Sequence, residues 1–253
     1  MKRGAPAPAL GVPALAAPLA PATTRAGTMA LMPLEIERLH LATLSAPGSS
    51  DVTPVHGFVV RYDGGAALVD TGVGGPGRLL NDWRVVNVTA ADALARLDMT
   101  PADISLVINT HLHFDHCGQN AVFKHAAVHV QRAELERARA ESAWQAEWFD
   151  FMGARFELLD GDAEIVPGLS VLTTPGHTSG HQSVVVQTAA GEEVLIGDAA
   201  YAPEQYNAPP GAELPEGQAR DVDAWWASLD RVKSAGPARV HFCHHTDILG
   251  AHS

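Results

Sequence analysis

Six consecutive residues, His111-Leu112-His113-Phe114-Asp115-His116, put four metal-binding side chains into one short stretch directly after the apolar run Leu106–Asn109. Packed together without an ion, such groups would repel as they protonate, and each would demand a hydrogen-bond partner. In an extended segment side chains two apart share a face, so His111 and His113 can grip one ion while the following turn swings Asp115 and His116 toward another. The fold must therefore bring strand ends together around this segment.

Three further candidates follow apolar strands: His177 in Pro175-Gly176-His177-Thr178, Asp198 in Ile196-Gly197-Asp198, and His244 after Val240-His241-Phe242-Cys243. Loops at strand ends are where a scaffold presents functional groups, and Gly176 and Gly197 allow tight turns beside them. Singly, each is also an ordinary turn sequence; their joint order behind the first cluster is what marks them. His241 and His245 are rivals for the last position, and alternation along the strand puts His241 on the side opposite His244.

The rest of the chain supplies the scaffold. Strands are expected at 34–44, 57–62 and 66–70, then a helix capped by Thr89 and running to about Asp98, and a strand at 106–109. Another strand at 127–130 leads into a helix from Arg132 to about Ala140. Trp144, Trp148 and Phe151 then recur at helical spacing. Strands at 163–166 and 169–173 precede a hairpin, 182–187 with 193–196. A Pro- and Gly-rich loop follows from Ala202 to about Arg220. The last helix, Asp221 to Ser234, carries Val222, Trp225, Trp226, Leu229 and Val232 on one face, before a strand at 239–243. The order βββ…αβ occurs twice, which predicts an α/β fold of the α+β type, a four-layer αββα sandwich. Residues 1–30, Ala- and Pro-rich, read as a disordered tail or as an extension ahead of a start at Met29 or Met32; residues 31–253 read as one domain.

Composition narrows the partners. Seventeen basic against 29 acidic residues, a net charge of -12 and no basic stripe exclude nucleic acid. Prolines at 6, 8, 13 and 18 interrupt every apolar run of an export signal, and no run approaches the roughly 18 apolar residues of a membrane span. Two cysteines, Cys117 and Cys243, are too few for a disulfide framework and read as small buried residues. A cytoplasmic location fits, with export left open by the N-terminus.

From Asp70-Thr71-Gly72 to His244 the chain resembles the metallo-β-lactamase-fold hydrolases. The stretches Asn109–Asn120, Thr174–Ser183 and Gly197-Asp198-Ala199-Ala200-Tyr201 resemble the N-acyl-homoserine lactonases, with a Tyr three after the Asp. The resemblance implies a first metal on His111, His113 and His177, a second on Asp115, His116 and His244, and Asp198 bridging them. It implies zinc, with iron, manganese or cobalt as alternatives for the same N/O donors. Asp70 would orient a ligand rather than bind metal. The family follows its last ligand His with an acidic residue, whereas this chain has His245.

The implied reaction is quorum-quenching ring opening of a small-molecule lactone. Paired cations lower the pKa of a shared water toward neutrality, the resulting hydroxide attacks the ester carbonyl, Tyr201 hydrogen-bonds its oxygen, and Asp115 passes the proton on. Related metallohydrolases of thioesters or phosphotriesters, and a mononuclear-iron persulfide dioxygenase, are the competing readings. Trp144, Trp148, Phe149, Phe151 and Met152 could line an acyl slot or pack the core, and Tyr206–Gly217 could form a further wall. Chain pairing stays open, a dimer being one option.

Overall fold

Near-continuous apolar runs such as 66–69 are what a strand looks like when both of its faces are covered. The computed structural model describes residues 32–141, 146–215 and 217–250. The expected tail over residues 1–30 and Trp144 lie outside the described residues. The first half comprises β1 (Glu35–Leu44), β2 (Thr53–Tyr62), β3 (Gly65–Val69), α1 (Gly77–Asp82), β4 (Val86–Asn87), α2 (Ala90–Ala95), β5 (Leu106–Ile108), α3 (Phe114–Cys117), β6 (Ala127–Gln131), α4 (Arg132–Glu141), α5 (Ala146–Phe149) and β7 (Phe156–Leu159). The second comprises β8 (Ala163–Val166), β9 (Leu169–Thr173), β10 (Gln182–Thr188), β11 (Gly191–Leu195), α6 (Pro203–Tyr206), α7 (Val222–Ala235), β12 (Arg239–His241) and β13 (Ile248–Gly250).

Two sheets result, ordered β4-β1-β2-β3-β5-β6-β7 and β13-β12-β11-β10-β9-β8. In each, antiparallel hairpins are followed by a helical crossover to a parallel strand: β3 to β5 across α2, and β11 to β12 across α7. Between the sheets Phe58, Val60, Ala67, Val69 and Ile108 meet Leu169, Val171, Val184, Val186 and Leu195. Their sequence neighbours Val59, Leu68 and Val107 point the other way, onto Ala90, Ala93 and Leu94 of α2. Val194 and Val240 on the far side meet Trp225, Leu229 and Val232 of α7. The layers are helix, sheet, sheet, helix, as the repeated pattern predicts.

Caps fix the helices. Thr89 accepts from the Asp92 amide at 3.0 Å, and Asp221 from the Ala224 amide at 3.0 Å. α7 ends at Gly236, φ 65°, a left-handed stop that favours glycine. Val222, expected on the buried face of α7, is 49% exposed, because the first turn projects into solvent together with Asp221 and Asp223. α2 stops before Asp98, which takes φ 55°.

One expected helical face does not form. α5 ends at Phe149; the chain turns at Asp150, which pairs with Arg139 at 2.8 Å, and Gly153 takes φ 91°. Phe151 therefore lies outside the helix, and Phe149 joins Trp148 in the core with Leu112, Val130 and Leu135. Met152 is almost fully exposed. Among the described residues no helix is long and apolar enough to cross a membrane.

Candidate metal centre

Chain segments that leave the ends of β3, β5, β9, β11 and β12 converge at one edge of the sandwich. Beyond β5 the chain runs extended through His111 to His113 before α3 begins. That geometry carries His111 and His113 together, with Nε2 of the first 2.9 Å from Nδ1 of the second. His177, from the loop after β9, brings its Nε2 to 3.0 Å from the same His113 nitrogen. α3 turns Asp115 and His116 the other way, toward His244.

Three groups form among the described residues: Asp70, His116 and Cys243 make one, and the two built from the expected ligands are His111, His113, His177 and Asp198 on one hand and Asp115, His116 and His244 on the other; within each the ligand atoms lie within 4.8 Å of one another. Asp198 stands between the latter two: its Oδ2 lies 3.6 Å from His111 Nε2 and 3.3 Å from His177 Nε2. Its Oδ1 lies 3.2 Å from both His116 Nε2 and His244 Nε2. Asp115 Oδ2 is 3.9 Å from His116 and 3.7 Å from His244. His241 turns away to bond Glu193 at 2.6 Å, and His245 is partly exposed beside Asp247; neither joins a group.

Hydrogen bonds around the rim fix the tautomers. His116 Nδ1 donates to Asp70 Oδ2 at 2.8 Å, His177 Nδ1 to the Gln218 carbonyl at 3.0 Å, and His244 Nδ1 to the Pro54 carbonyl at 3.0 Å. The Thr110 hydroxyl donates to Asp70 at 2.8 Å and so receives His111 Nδ1–H at 3.2 Å. With Nδ1 engaged in these bonds, each of these imidazoles turns its Nε2 inward, the nitrogen that would hold a metal ion. The Pro54 carbonyl thus orients His244, which this chain follows with His245.

These residues fit a cation better than they fit one another. His116 Nε2 and Asp198 Oδ1 are buried without a hydrogen-bond partner, and three imidazole nitrogens that converge at about 3 Å cannot all be satisfied by shared protons. Burial, aided by neighbouring imidazoles, pushes the pKa values of His111 and His113 well below the ordinary range, and burial lowers His177 also. At His116 burial opposes charge, but the carboxylates of Asp198, Asp70 and Asp115 outweigh it and raise the pKa; at His244 Asp198 does the same. Asp198 is itself held well below the usual carboxylate range, burial being overcome by the imidazoles around it.

Asp70 lies outside the two groups that Asp198 joins. Buried and at φ 58°, it accepts from the Thr110 amide and hydroxyl, both at 2.8 Å, and from His116. Tyr201 stands at the rim, its ring 6.0 Å from that of His177 and 5.3 Å from that of His244. Its hydroxyl donates to the Gly217 carbonyl at 3.3 Å, which brings the end of the 206–217 loop against the site. Burial first, then the carboxylates of Asp198 and Asp115, raise its pKa, so the phenol stays protonated. Cys117 and Cys243 are buried and free, and burial pushes the Cys243 thiol up to about 12. Two supports carry no sequence signal: Glu134 of α4 accepts from the Leu112 amide at 2.8 Å, and the Pro54 carbonyl holds His244.

The Metallo-beta-lactamase superfamily pattern matches residues 50–244. An N-acyl homoserine lactonase from a Bacillus species is 34% identical over 176 residues, which is 63% of this chain and 69% of the relative. Among solved structures, a mutant of B. thuringiensis AiiA with N-decanoyl-L-homoserine bound at the active site superposes with a TM-score of 0.70 and 27% identity, over 85% of this chain and 94% of that one. An N-acyl homoserine lactone hydrolase with the product N-hexanoyl-L-homoserine bound at its catalytic metal center gives the same TM-score, identity and coverage. With the pattern spanning both ligand groups, the chain belongs to the metallo-beta-lactamase superfamily.

Proposed function

We propose that this protein is a metal-dependent hydrolase that opens the lactone ring of N-acyl homoserine lactones, with two divalent ions, zinc by preference, held by His111, His113, His177, Asp115, His116, His244 and the bridging Asp198. The observation that carries the reading is Asp198 itself, one oxygen directed at each imidazole group. Relatives named for this activity, and the product-bound structures similar to this chain, support the substrate class.

When bound, the two ions supply positive charge that polarises a carbonyl oxygen and brings the ionisation of water toward neutrality. The chain's own residues do the rest. His111, His116, His177 and His244, each oriented through its Nδ1, hold their Nε2 atoms in place for the ions, so little reorganisation is needed on binding. Tyr201, protonated at the rim, exchanges its long bond to Gly217 for one to the carbonyl oxygen as negative charge develops there. Asp115, the ligand-group carboxylate with an edge to solvent, takes the proton released by water and returns it to the departing ring oxygen. Water adds across the ester bond, the ring C–O bond breaks, and an N-acyl-homoserine carrying a carboxylate and an alcohol results.

Base consumption in a pH-stat measures the new carboxylic acid directly. Purified protein loaded with zinc is expected to turn over N-hexanoyl homoserine lactone faster than a glutathione thioester or an aryl phosphotriester. Faster turnover of either competitor, or no base uptake on the lactone, would overturn the proposal.

A further inference from the structure

Asp198 has to offer one carboxylate oxygen to each metal group, so its backbone must be fixed as closely as its side chain. Both of its main-chain polar groups are held by buried side chains outside the ligand set. The Asp198 amide donates to His181 Nε2 at 3.0 Å, and the Asp198 carbonyl accepts from Gln218 Nε2 at 2.7 Å. His181 is itself locked: its Nδ1–H is committed to the Thr174 carbonyl at 3.0 Å, which leaves Nε2 as an acceptor. Gln218 is held through its main chain, whose carbonyl receives His177 Nδ1–H at 3.0 Å, while its side-chain Oε1 is buried without a hydrogen-bond partner. Neither side chain is exposed. Gly197 completes the seat with φ 59°, and a Cβ there would lie 2.7 Å from His181 Nε2 and 2.9 Å from Thr110 Cβ.

We infer that His181 and Gln218 are positioning residues that clamp the Asp198 main chain from both sides and so set the geometry of the bridging carboxylate. The inference rests on the two-metal reading of Asp198 above. Its physical basis is that an unpaired buried amide or carbonyl seeks another partner, and the whole 197–199 turn would shift to find one. Residues that hold a ligand in place typically change metal affinity by roughly 10–100-fold when removed.

The test compares His181→Leu, His181→Gln and Gln218→Met with the unmodified chain. Zinc stoichiometry is read by elemental analysis, zinc affinity by competition with a chromophoric chelator, and the melting temperature of the metal-free protein serves as the control for folding. His181→Leu and Gln218→Met are expected to bind zinc roughly 10–100-fold more weakly with little change in metal-free melting. His181→Gln, whose amide oxygen can still accept from Asp198, is expected to recover most of the affinity. Wild-type zinc affinity in Gln218→Met would overturn the inference, and Gln218→Met decides alone should the His181→Leu chain fail to fold. Fewer than two zinc ions per unmodified chain would instead sink the reading of the centre, and this inference with it.

Discussion

Asp70 occupies a backbone conformation, φ 58°, that costs most residues roughly 1–2 kcal/mol but is tolerated by Asp and Asn. Asp70→Asn therefore leaves the turn intact and isolates the carboxylate. The replacement amide can place its oxygen where Oδ2 faces the Thr110 hydroxyl and His116 Nδ1 or where Oδ1 faces the Thr110 amide, and its NH2 then opposes whatever donates on the other side. The folded protein is expected to survive with zinc affinity reduced roughly 10–100-fold, as measured by chelator competition; unchanged affinity would show that Asp70 does not orient His116. Tyr201→Phe asks a different question, because the Tyr201 hydroxyl is bonded to the Gly217 carbonyl. It should keep both metals and lower kcat by about 10–1000-fold, the upper end being the usual cost of one lost oxyanion donor. Equal loss of metal content would assign Tyr201 to the scaffold instead.

Elements were legible in proportion to their length and to the burial they achieve. β2, β3, β10 and α7 carry enough apolar side chains in register to be read directly, and the Thr89 cap of α2 falls where the sequence predicts. β4, with two residues, and β13, with three, exist only because a neighbour pairs with them, and no local pattern announces that. The helical spacing of Trp148 and Phe151 misleads because Arg139 captures Asp150 and turns the chain between them. The residues of the two His and Asp groups were legible since each follows an apolar strand within a few residues; the His181 and Gln218 contacts were not, since they depend on which loops meet. The junction of α3 with the 71–74 segment is another such meeting. Thr71 and Gly74 amides donate to the His116 and Phe114 carbonyls at 2.7 and 3.0 Å, and the backbones touch at glycines. A Cβ on Gly118 would lie 1.8 Å from the Gly74 nitrogen, a collision that no side-chain rotation relieves. Gly118→Ala is therefore expected to destabilise the protein by about 3 kcal/mol or more and to weaken metal binding, read by chemical denaturation and zinc titration. A stability within experimental error of the parent would mean that α3 can move freely.

Across the whole molecule the centre joins both sheets, because its ligands follow β5, β9, β11 and β12. Without metal, imidazoles and carboxylates face one another with His116 Nε2 and Asp198 Oδ1 buried and lacking a hydrogen-bond partner, so on the proposed reading bound ions would act as a bond between the layers. Each ion present at a thousandfold excess over its dissociation constant stabilises by about 4 kcal/mol, and 1 kcal/mol moves the melting temperature of a chain this size by roughly 2–4 °C. Chelation should lower that temperature by about 8 °C or more, reversibly on adding zinc. The metal-free protein carries its own pH dependence. Burial, the largest cause at each, lowers His181 and His56 from 6.5 to about 4 in the folded state, so both are neutral when folded and protonate on unfolding. The unfolded chain then binds more protons than the folded one between pH 6.5 and 4, and the stability these residues contribute is complete above that window and lost as pH falls through it. His111, His113 and His177 add to this sign; His116 and His244 oppose it. His129 and His241, also lowered by burial, join the first set, and with seven groups against two the metal-free melting temperature is expected to fall from pH 7 to pH 5. The zinc-loaded protein should fall further over the same interval, because protons also compete for the ligands. Parallel curves for the two forms would mean that zinc and protons do not share these nitrogens.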